Sequence, residues 1–173
     1  MEVREAFKFC LRCGSKGQLN DNHLHCPVCG LDYYLNPKPV QSVILFNDKD
    51  EALFVVRAFE PKKGYLDFPG GFVDENENFE ESAVREVKEE LGIKIDVSKL
   101  QYLRSDYDEY LFQNVNYKVM GAAFCGDLPA GANLKPDDDV SGVEFHKLDD
   151  VPLERVAWPS MLKMIDKLKT IKS

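Results

Sequence analysis

The architecture of this chain can be read outward from Gly71-Phe72-Val73-Asp74-Glu75-Asn76-Glu77-Asn78-Phe79-Glu80-Glu81-Ser82-Ala83-Val84-Arg85-Glu86-Val87-Lys88-Glu89-Glu90-Leu91-Gly92-Ile93. Asn78 suits a helix N-cap, and Glu81 three residues on completes a capping box. Gly92 stands where a left-handed residue closes a helix. The pattern predicts a glycine turn running into a helix from about Asn78 to Leu91. At about 100° per residue, Glu86, Glu89 and Glu90 share roughly a third of the circumference. Ala83, Val84, Val87 and Leu91 form a separate apolar stripe. The helix is therefore expected to pack by one face and display three carboxylates on the next.

Like charges at that spacing repel by about 0.2–0.5 kcal/mol per exposed pair. A glutamate-rich face can be merely solvated, but a helix selected for stability would interleave lysines. A hard divalent cation such as Mg²⁺ takes carboxylate oxygens and would relieve the repulsion.

The spacing Gly71-x5-Glu77-x7-Arg85-Glu86-apolar-x-Glu89-Glu90-x-Gly92-apolar resembles the full box of the Nudix hydrolases, with no departure. Seven fixed positions, each met by chance about once in fifteen, coincide about once in 10⁸ placements. Chance does not account for them. The resemblance implies an α/β fold, the Nudix α/β/α sandwich with a mixed β-sheet. It implies that Glu86, Glu89, Glu90 and the backbone carbonyl of Gly70 hold Mg²⁺ (or Mn²⁺), and that Glu77 and Arg85 brace the loop against the helix. Catalytic work would fall to these five side chains: Glu86, Glu89, Glu90, Arg85 and Glu77. Family members take the general base either from a box glutamate, here Glu89 or Glu86, or from an acid on a later loop. Asp137-Asp138-Asp139 lies where such an acid is found, and Glu144 is a further candidate.

Outward from the box, Pro69-Gly70-Gly71 lets the backbone approach a ligand closely. Val40–Phe46 reads as a strand, residues 47–50 as a turn and Ala52–Ala58 as the hairpin partner. Ile93–Ile95, Gln101–Tyr107, Tyr117–Cys125 and Val143–His146 look like further strands. Pro159 suits a first helical turn, and Met161, Leu162, Ile165 and Leu168 follow at helical spacing. This closing helix is expected on the opposite sheet face from the box helix. Tyr107 and Tyr110, with Phe112 and Tyr117, could stack on a base, although strand aromatics are commonly core. Arg57, at a strand end, could bind a phosphate oxygen. Arg57, Tyr107, Tyr110 and Asp139 are the substrate-binding candidates.

At the other end, Cys10-x2-Cys13 and Cys26-x2-Cys29 stand twelve residues apart, each pair followed by a glycine. Paired knuckles of this kind read as a Zn²⁺ site of four thiolates. Disulfides are the competing reading, disfavoured in a reducing compartment. His23 and His25 read as ordinary hairpin residues, and Cys125 as a core thiol. So short a module cannot bury a core alone, and the metal supplies its folding energy. Asn36-Pro37-Lys38-Pro39 marks the boundary. The expected domains are a zinc ribbon over 1–36 and a Nudix hydrolase domain over 37–173.

The 173 residues are 44% hydrophobic and 30% charged, with net charge −8, as expected of a globular protein with material for a core. Met1–Lys8 is charged, so no signal peptide is expected. No apolar run is long enough to span a membrane, and a cytoplasmic location is the default. Residues 1–38 hold five Lys or Arg against four Asp or Glu, about +1 net, leaving seventeen basic and twenty-six acidic residues for the rest. Such a surface disfavours a nucleic-acid partner. A homodimer is the other partner expected of a ribbon-bearing Nudix protein.

The pairing of ribbon and box resembles the zinc-ribbon Nudix group that includes the NADH diphosphatases. The chain departs from them in lacking their Ser-Gln-Pro-Trp-type segment after the box; its one tryptophan is Trp158. Nor does it carry the proline of ADP-ribose diphosphatases, since no proline falls between Pro69 and Pro129. The expected function is a Mg²⁺-dependent cleavage of the diphosphate in a small nucleotide substrate. That class spans NADH, ADP-ribose, dinucleoside polyphosphates, nucleotide sugars and nucleoside triphosphates. The alternative is a nucleotide-sensing regulator whose ribbon contacts nucleic acid or a protein partner; intact box glutamates favour the enzyme.

Overall fold

The structure, a computed structural model, describes residues 1–172. The chain divides into two compact units, one of Met1–Lys38 with Glu109–Val119 and one of the remainder.

In the first unit a short helix, α1 (Val3–Ala6), precedes three strands, β1 (Gln18–Leu19), β2 (His23–His25) and β3 (Asp32–Tyr34). They form an antiparallel sheet in the order β1-β2-β3. Its interior is small: Cys10, Leu24 and Cys26 are buried, and Phe7 stacks on Tyr33 at 5.6 Å. Residues 109–119 are the tip of a hairpin turning at Gln113 and Asn114, both left-handed at φ 48° and 63°. Two successive left-handed residues match the twist of the flanking strands. Lys118 is ion-paired with Glu2 and Glu109, and Asn116 donates to both carboxylates at 2.9 Å.

The second unit is built on a seven-stranded sheet. Its first four strands are β4 (Lys38–Phe46), β5 (Ala52–Arg57), β6 (Leu66–Asp67) and β7 (Gly70–Phe72). Helix α2 (Phe79–Leu91) follows, then β8 (Gln101–Phe112), β9 (Val115–Asp127), β10 (Val140–His146) and helix α3 (Pro159–Lys172). The order is β10-β5-β4-β9-β8, with β6 on β5 and β7 on β4. β10, β4 and β6 pair antiparallel with β5, and β7 pairs antiparallel with β4. Val40 lies against Gly121, while the Phe46 carbonyl accepts from Leu128 N at 2.7 Å. β4 and β9 therefore run parallel, and the sheet is mixed.

Val43, Ile44, Leu45 and Phe46 are all buried, because the sheet is covered on both faces and a central strand has no solvent side. On one face α2 contributes Ala83, Val87 and Leu91 against Val43, Leu45, Leu53 and Val55. On the other, α3 sets Met161, Met164, Ile165 and Leu168 against Ile44, Phe46, Phe54 and Ala123. The fold is the α/β/α sandwich, with the two helices on opposite faces.

The caps of α2 form as its sequence requires. Asn78 accepts from Glu81 N at 2.8 Å, Glu81 reaches back to Asn78 N at 3.0 Å, and Gly92 is left-handed at φ 69°. Ile93–Ile95 is not a strand, contrary to its alternating pattern. After the cap, Ile93 is buried beneath α2 and Ile95 packs on the same cluster, so the two isoleucines close the core instead of pairing in the sheet. Among the described residues, no helix is long and apolar enough to cross a membrane.

Candidate active site and metal centre

The candidate site is assembled where β7 passes the C-terminal half of α2. Two glycines make the approach possible. Gly70 has φ 149°, and a Cβ there would sit 2.2 Å from the Gln41 carbonyl oxygen. A Cβ on Gly71 would lie 2.4 Å from Glu86 Oε1. At Gly70 the neighbour is backbone and only glycine fits, whereas at Gly71 it is the end of the Glu86 side chain, which a Cβ would push aside.

Arg85 organises the carboxylates. Its Nε and Nη2 donate to the two oxygens of Glu77 at 2.7 and 2.9 Å, a bidentate pair. Nη1 donates to Glu86 Oε1 at 2.9 Å and to Glu89 Oε2 at 3.0 Å. Nη2 also reaches the Phe72 carbonyl at 3.0 Å, tying the glycine turn to the helix. The Arg85 hydrogen bond holds the Glu77 carboxyl below its usual range. Asp74 N, donating to Glu77 at 3.2 Å, completes the brace.

The three box glutamates do not share one exposed face, as helical spacing alone suggests. Glu89 is 47% exposed, the Glu86 side chain 14%, and Glu90 is buried at 4%. Because β7 and the 135–139 loop close over the end of α2, the third carboxylate ends inside. Glu90 Oε2 accepts from Gly70 N at 3.1 Å. Burial pushes its carboxyl up to about 10, with Asp139 and Glu86 adding to the rise and the Gly70 amide opposing it. Glu86 is likewise raised, first by burial, against the pull of Arg85. Crowded carboxylates are hard-oxygen donors, and these two hold a proton more readily than usual because burial and neighbouring negative charge disfavour their ionised form.

Asp139 joins this set, since its charge raises both Glu86 and Glu90. Its loop is docked on α2: Lys135 N donates to the Leu91 carbonyl at 2.9 Å and Asp137 N to that of Glu90 at 3.1 Å. The Asp139 carbonyl in turn accepts from Ala58 N at 2.7 Å. Arg57 donates by Nη1 to Asp67 at 3.0 Å and by Nε to the Pro61 carbonyl at 2.9 Å, with its guanidinium 5.4 Å from the Trp158 ring centroid. It thereby holds the 58–65 loop. Asp67 also accepts from Trp158 Nε1 at 2.8 Å; burial raises its carboxyl while Arg57 lowers it. Asp67 and Trp158 were not singled out in the sequence, where an acidic residue between two buried apolar neighbours, Leu66 and Phe68, is the available signal.

The structure thus brings Glu77, Arg85, Glu86, Glu89, Glu90, Gly70 and Asp139 together. Tyr107 and Tyr110 lie on β8, two strands removed from β4. Tyr107 is 50% exposed, and Tyr110 stacks on Phe112 at 6.1 Å. Glu144 is engaged by Arg155 at 2.8 and 3.0 Å and by His146 at 2.9 Å.

The cysteines form a second centre. The four Sγ atoms of Cys10, Cys13, Cys26 and Cys29 lie within 4.8 Å of one another. Cys10 and Cys29 are 3.6 Å apart, Cys13 and Cys26 3.5 Å. A tetrahedron of Zn–S bonds of about 2.3 Å has sulfurs about 3.8 Å apart, so the donor set fits zinc. Both knuckles close alike: Gly14 N and Gly30 N each donate 2.9 Å to the first cysteine's carbonyl, and both glycines have φ 71°. The Ser15 hydroxyl and amide draw the Cys13 thiol down to about 6, whereas Cys29, despite the Leu31 backbone hydrogen bond that lowers it, is pushed up to about 11 by burial and the three neighbouring thiols. His23 and His25 stand apart, His25 paired with Asp32 at 2.7 Å. Cys125 packs against the α3-side core, and burial raises its thiol.

The NUDIX domain family model matches residues 36–168. The NAD-capped RNA hydrolase NudC of Pseudomonas aeruginosa (strain LESB58) is 28% identical over 148 residues, covering 84% of this chain and 49% of that protein. The ADP-ribose pyrophosphatase of Methanocaldococcus jannaschii is 34% identical over 119 residues, covering 69% of this chain and 67% of that one. The chain thus spans about half the length of the NudC relative. Among solved structures, a NUDIX hydrolase from Nitrosomonas europaea superposes with a TM-score of 0.62 at 24% identity, covering 94% of this chain and 89% of that one.

Proposed function

This chain belongs to the Nudix family, and from that membership we propose that it is a divalent-metal-dependent diphosphatase of nucleotides. Its substrate is a nucleoside diphosphate linked to a second group. The observation that carries the reading is the Arg85-centred cluster, in which one guanidinium binds Glu77, Glu86 and Glu89 while Glu90 accepts from Gly70 N in the adjoining glycine turn. Glu86, Glu89, Glu90 and the Gly70 carbonyl would hold Mg²⁺ or Mn²⁺. When bound, such a cation neutralises phosphate oxygens and acidifies water.

The residues of the chain do the rest. Glu77 and Arg85 fix the spacing of the carboxylates. Glu89, Glu86 or Asp139 takes the proton of the attacking water. That water adds in line to one phosphorus, the bridging P–O bond breaks, and two phosphate monoesters leave. Positioning and electrostatics supply most of the acceleration. Asp139 and Arg57 contribute to the substrate side, Arg57 through the loop it holds. We assign 1–36 to a ribbon holding one Zn²⁺ on Cys10, Cys13, Cys26 and Cys29, and 37–173 to the hydrolase domain.

The test is product analysis by mass spectrometry with Mg²⁺. The panel is NADH, ADP-ribose, dinucleoside polyphosphates, nucleotide sugars and nucleoside triphosphates. The two relatives' names are the reason to begin with NADH and ADP-ribose. A nucleoside monophosphate released from at least one substrate supports the reading. Tight binding without turnover across the panel would replace it with the nucleotide-sensing regulator.

A further inference from the structure

The face of β4 turned towards α2 is apolar at Val43 and Leu45, both fully buried, yet Gln41 precedes them at the same register and is 2% exposed. Its Nε2 donates to Ser82 Oγ at 3.5 Å, and its Oε1 has no hydrogen-bond partner. A buried carbonyl oxygen without a donor costs stability, and leucine or methionine here would continue the apolar face. Fold stability does not account for this residue.

Ser82 does. Its hydroxyl accepts from Gln41 Nε2 at 3.5 Å and from Arg85 Nη2 at 3.3 Å, and it donates to the Phe72 carbonyl at 3.4 Å. A serine hydroxyl has one proton and two lone pairs, so every site on it is in use. With both lone pairs taken, the proton has one direction left, towards the glycine turn. Arg85 Nη2 closes the ring: its two protons serve Glu77 Oε2 at 2.9 Å and the same Phe72 carbonyl at 3.0 Å, and the longer contact to Ser82 shares one of them.

We propose that Gln41 and Ser82 are positioning residues for the candidate metal site. The carboxamide fixes the Ser82 hydroxyl between the Phe72 carbonyl and the Arg85 guanidinium, and that guanidinium spaces Glu77, Glu86 and Glu89. The inference rests on the reading of the glutamates as metal ligands. Arg85 stands one step behind the ligands, where residues alter metal affinity by about 10–100-fold in other sites, and Ser82 and Gln41 act through it, which sets their effect at the low end of that range.

The test is a Mn²⁺ titration followed by electron paramagnetic resonance, on the full chain. It compares the wild type with Gln41→Met, Ser82→Ala and the double variant, each melted by calorimetry without metal. Each single variant is expected to bind Mn²⁺ about tenfold more weakly, and the double no more weakly than the worse single, because both act along one path. Gln41→Met should melt at or above the wild-type temperature. Affinity within twofold of wild type in the single variants, or single effects that multiply in the double, would overturn the proposal. So would weaker binding by Gln41→Met accompanied by a matching drop in its melting temperature, which would make the role structural. If Ser82→Ala does not fold, Gln41→Met decides alone. A wild type that binds no Mn²⁺ would remove the metal-ligand reading itself, a result distinct from the others.

Discussion

At the scale of single residues, Glu90 is the group whose environment departs furthest from the one its sequence position suggests. Helical spacing places it beside Glu86 and Glu89, but spacing carries no information about what closes over a helix end. Here β7 and the 135–139 loop do so, and the carboxyl rises from 4.5 to about 10 through burial and the charges of Asp139 and Glu86. The fold therefore binds a proton that the unfolded chain has released, and metal-free stability falls as pH climbs through that window. The slope is at most about 1.4 kcal/mol per pH unit. A cation displaces this proton, so the melting-temperature gain from Mg²⁺ should grow between pH 6 and 9 in thermal scans. A gain independent of pH would argue against Glu90 as a ligand. Glu89 is half-exposed, so Glu89→Gln should leave melting nearly unchanged while cutting turnover by at least about 100-fold in a steady-state assay. Gly71→Ala would force its Cβ against Glu86 Oε1, now 2.4 Å away. Metal affinity measured by calorimetric titration should drop while circular dichroism remains native.

At the scale of elements, α2 was the most legible part of the chain. Capping box, apolar stripe and αL glycine are local features; the caps reappear in full, while of the stripe Ala83, Val87 and Leu91 pack on the sheet and Val84 is only partly buried, outside that cluster. Asn78→Ala removes the acceptor for Glu81 N and should cost about 1 kcal/mol. That corresponds to a melting temperature lower by about 2–4 °C for a chain of this size, as read by calorimetry. The β8–β9 hairpin was legible only away from its turn, as Gln101–Tyr107 and Tyr117–Cys125. Its strands run on to Phe112 and back from Val115, although β8 is mostly exposed and shows no strong alternation. Its turn, Gln113-Asn114, lacks the glycine that usually marks two left-handed residues. Ile93–Ile95 failed for the opposite reason. Its alternation is that of a strand, but the isoleucines serve the core under α2.

At the scale of the whole molecule, the two centres obey different chemistry and should respond to different reagents. The ribbon's interior is little more than Cys10, Leu24, Cys26 and a stacked ring pair, and so small a core needs a metal to be stable. Elemental analysis should find about one zinc per chain. A strong zinc chelator should abolish hydrogen-exchange protection in residues 18–34, while residues 43–46 and 83–91 keep theirs. Retained protection in the ribbon after zinc removal would show that the thiols stand without metal. Cysteine spacing made this centre legible because each knuckle is local. Asp139 is legible in the sequence only through its chain position, on an acidic run just before β10. What the structure adds is its loop, hydrogen-bonded to the last carbonyls of α2, a contact between segments far apart in sequence.

The acidic end of α2 is expected to bind the cation that a diphosphate needs for cleavage. Anomalous diffraction from crystals soaked in Mn²⁺ with a non-hydrolysable nucleotide diphosphate tests it most directly. A metal peak within coordination distance of Glu86, Glu89 or Glu90 and of the Gly70 carbonyl, bridged to the diphosphate, is the expected result. Nucleotide bound elsewhere, with no anomalous peak at these carboxylates, would contradict it.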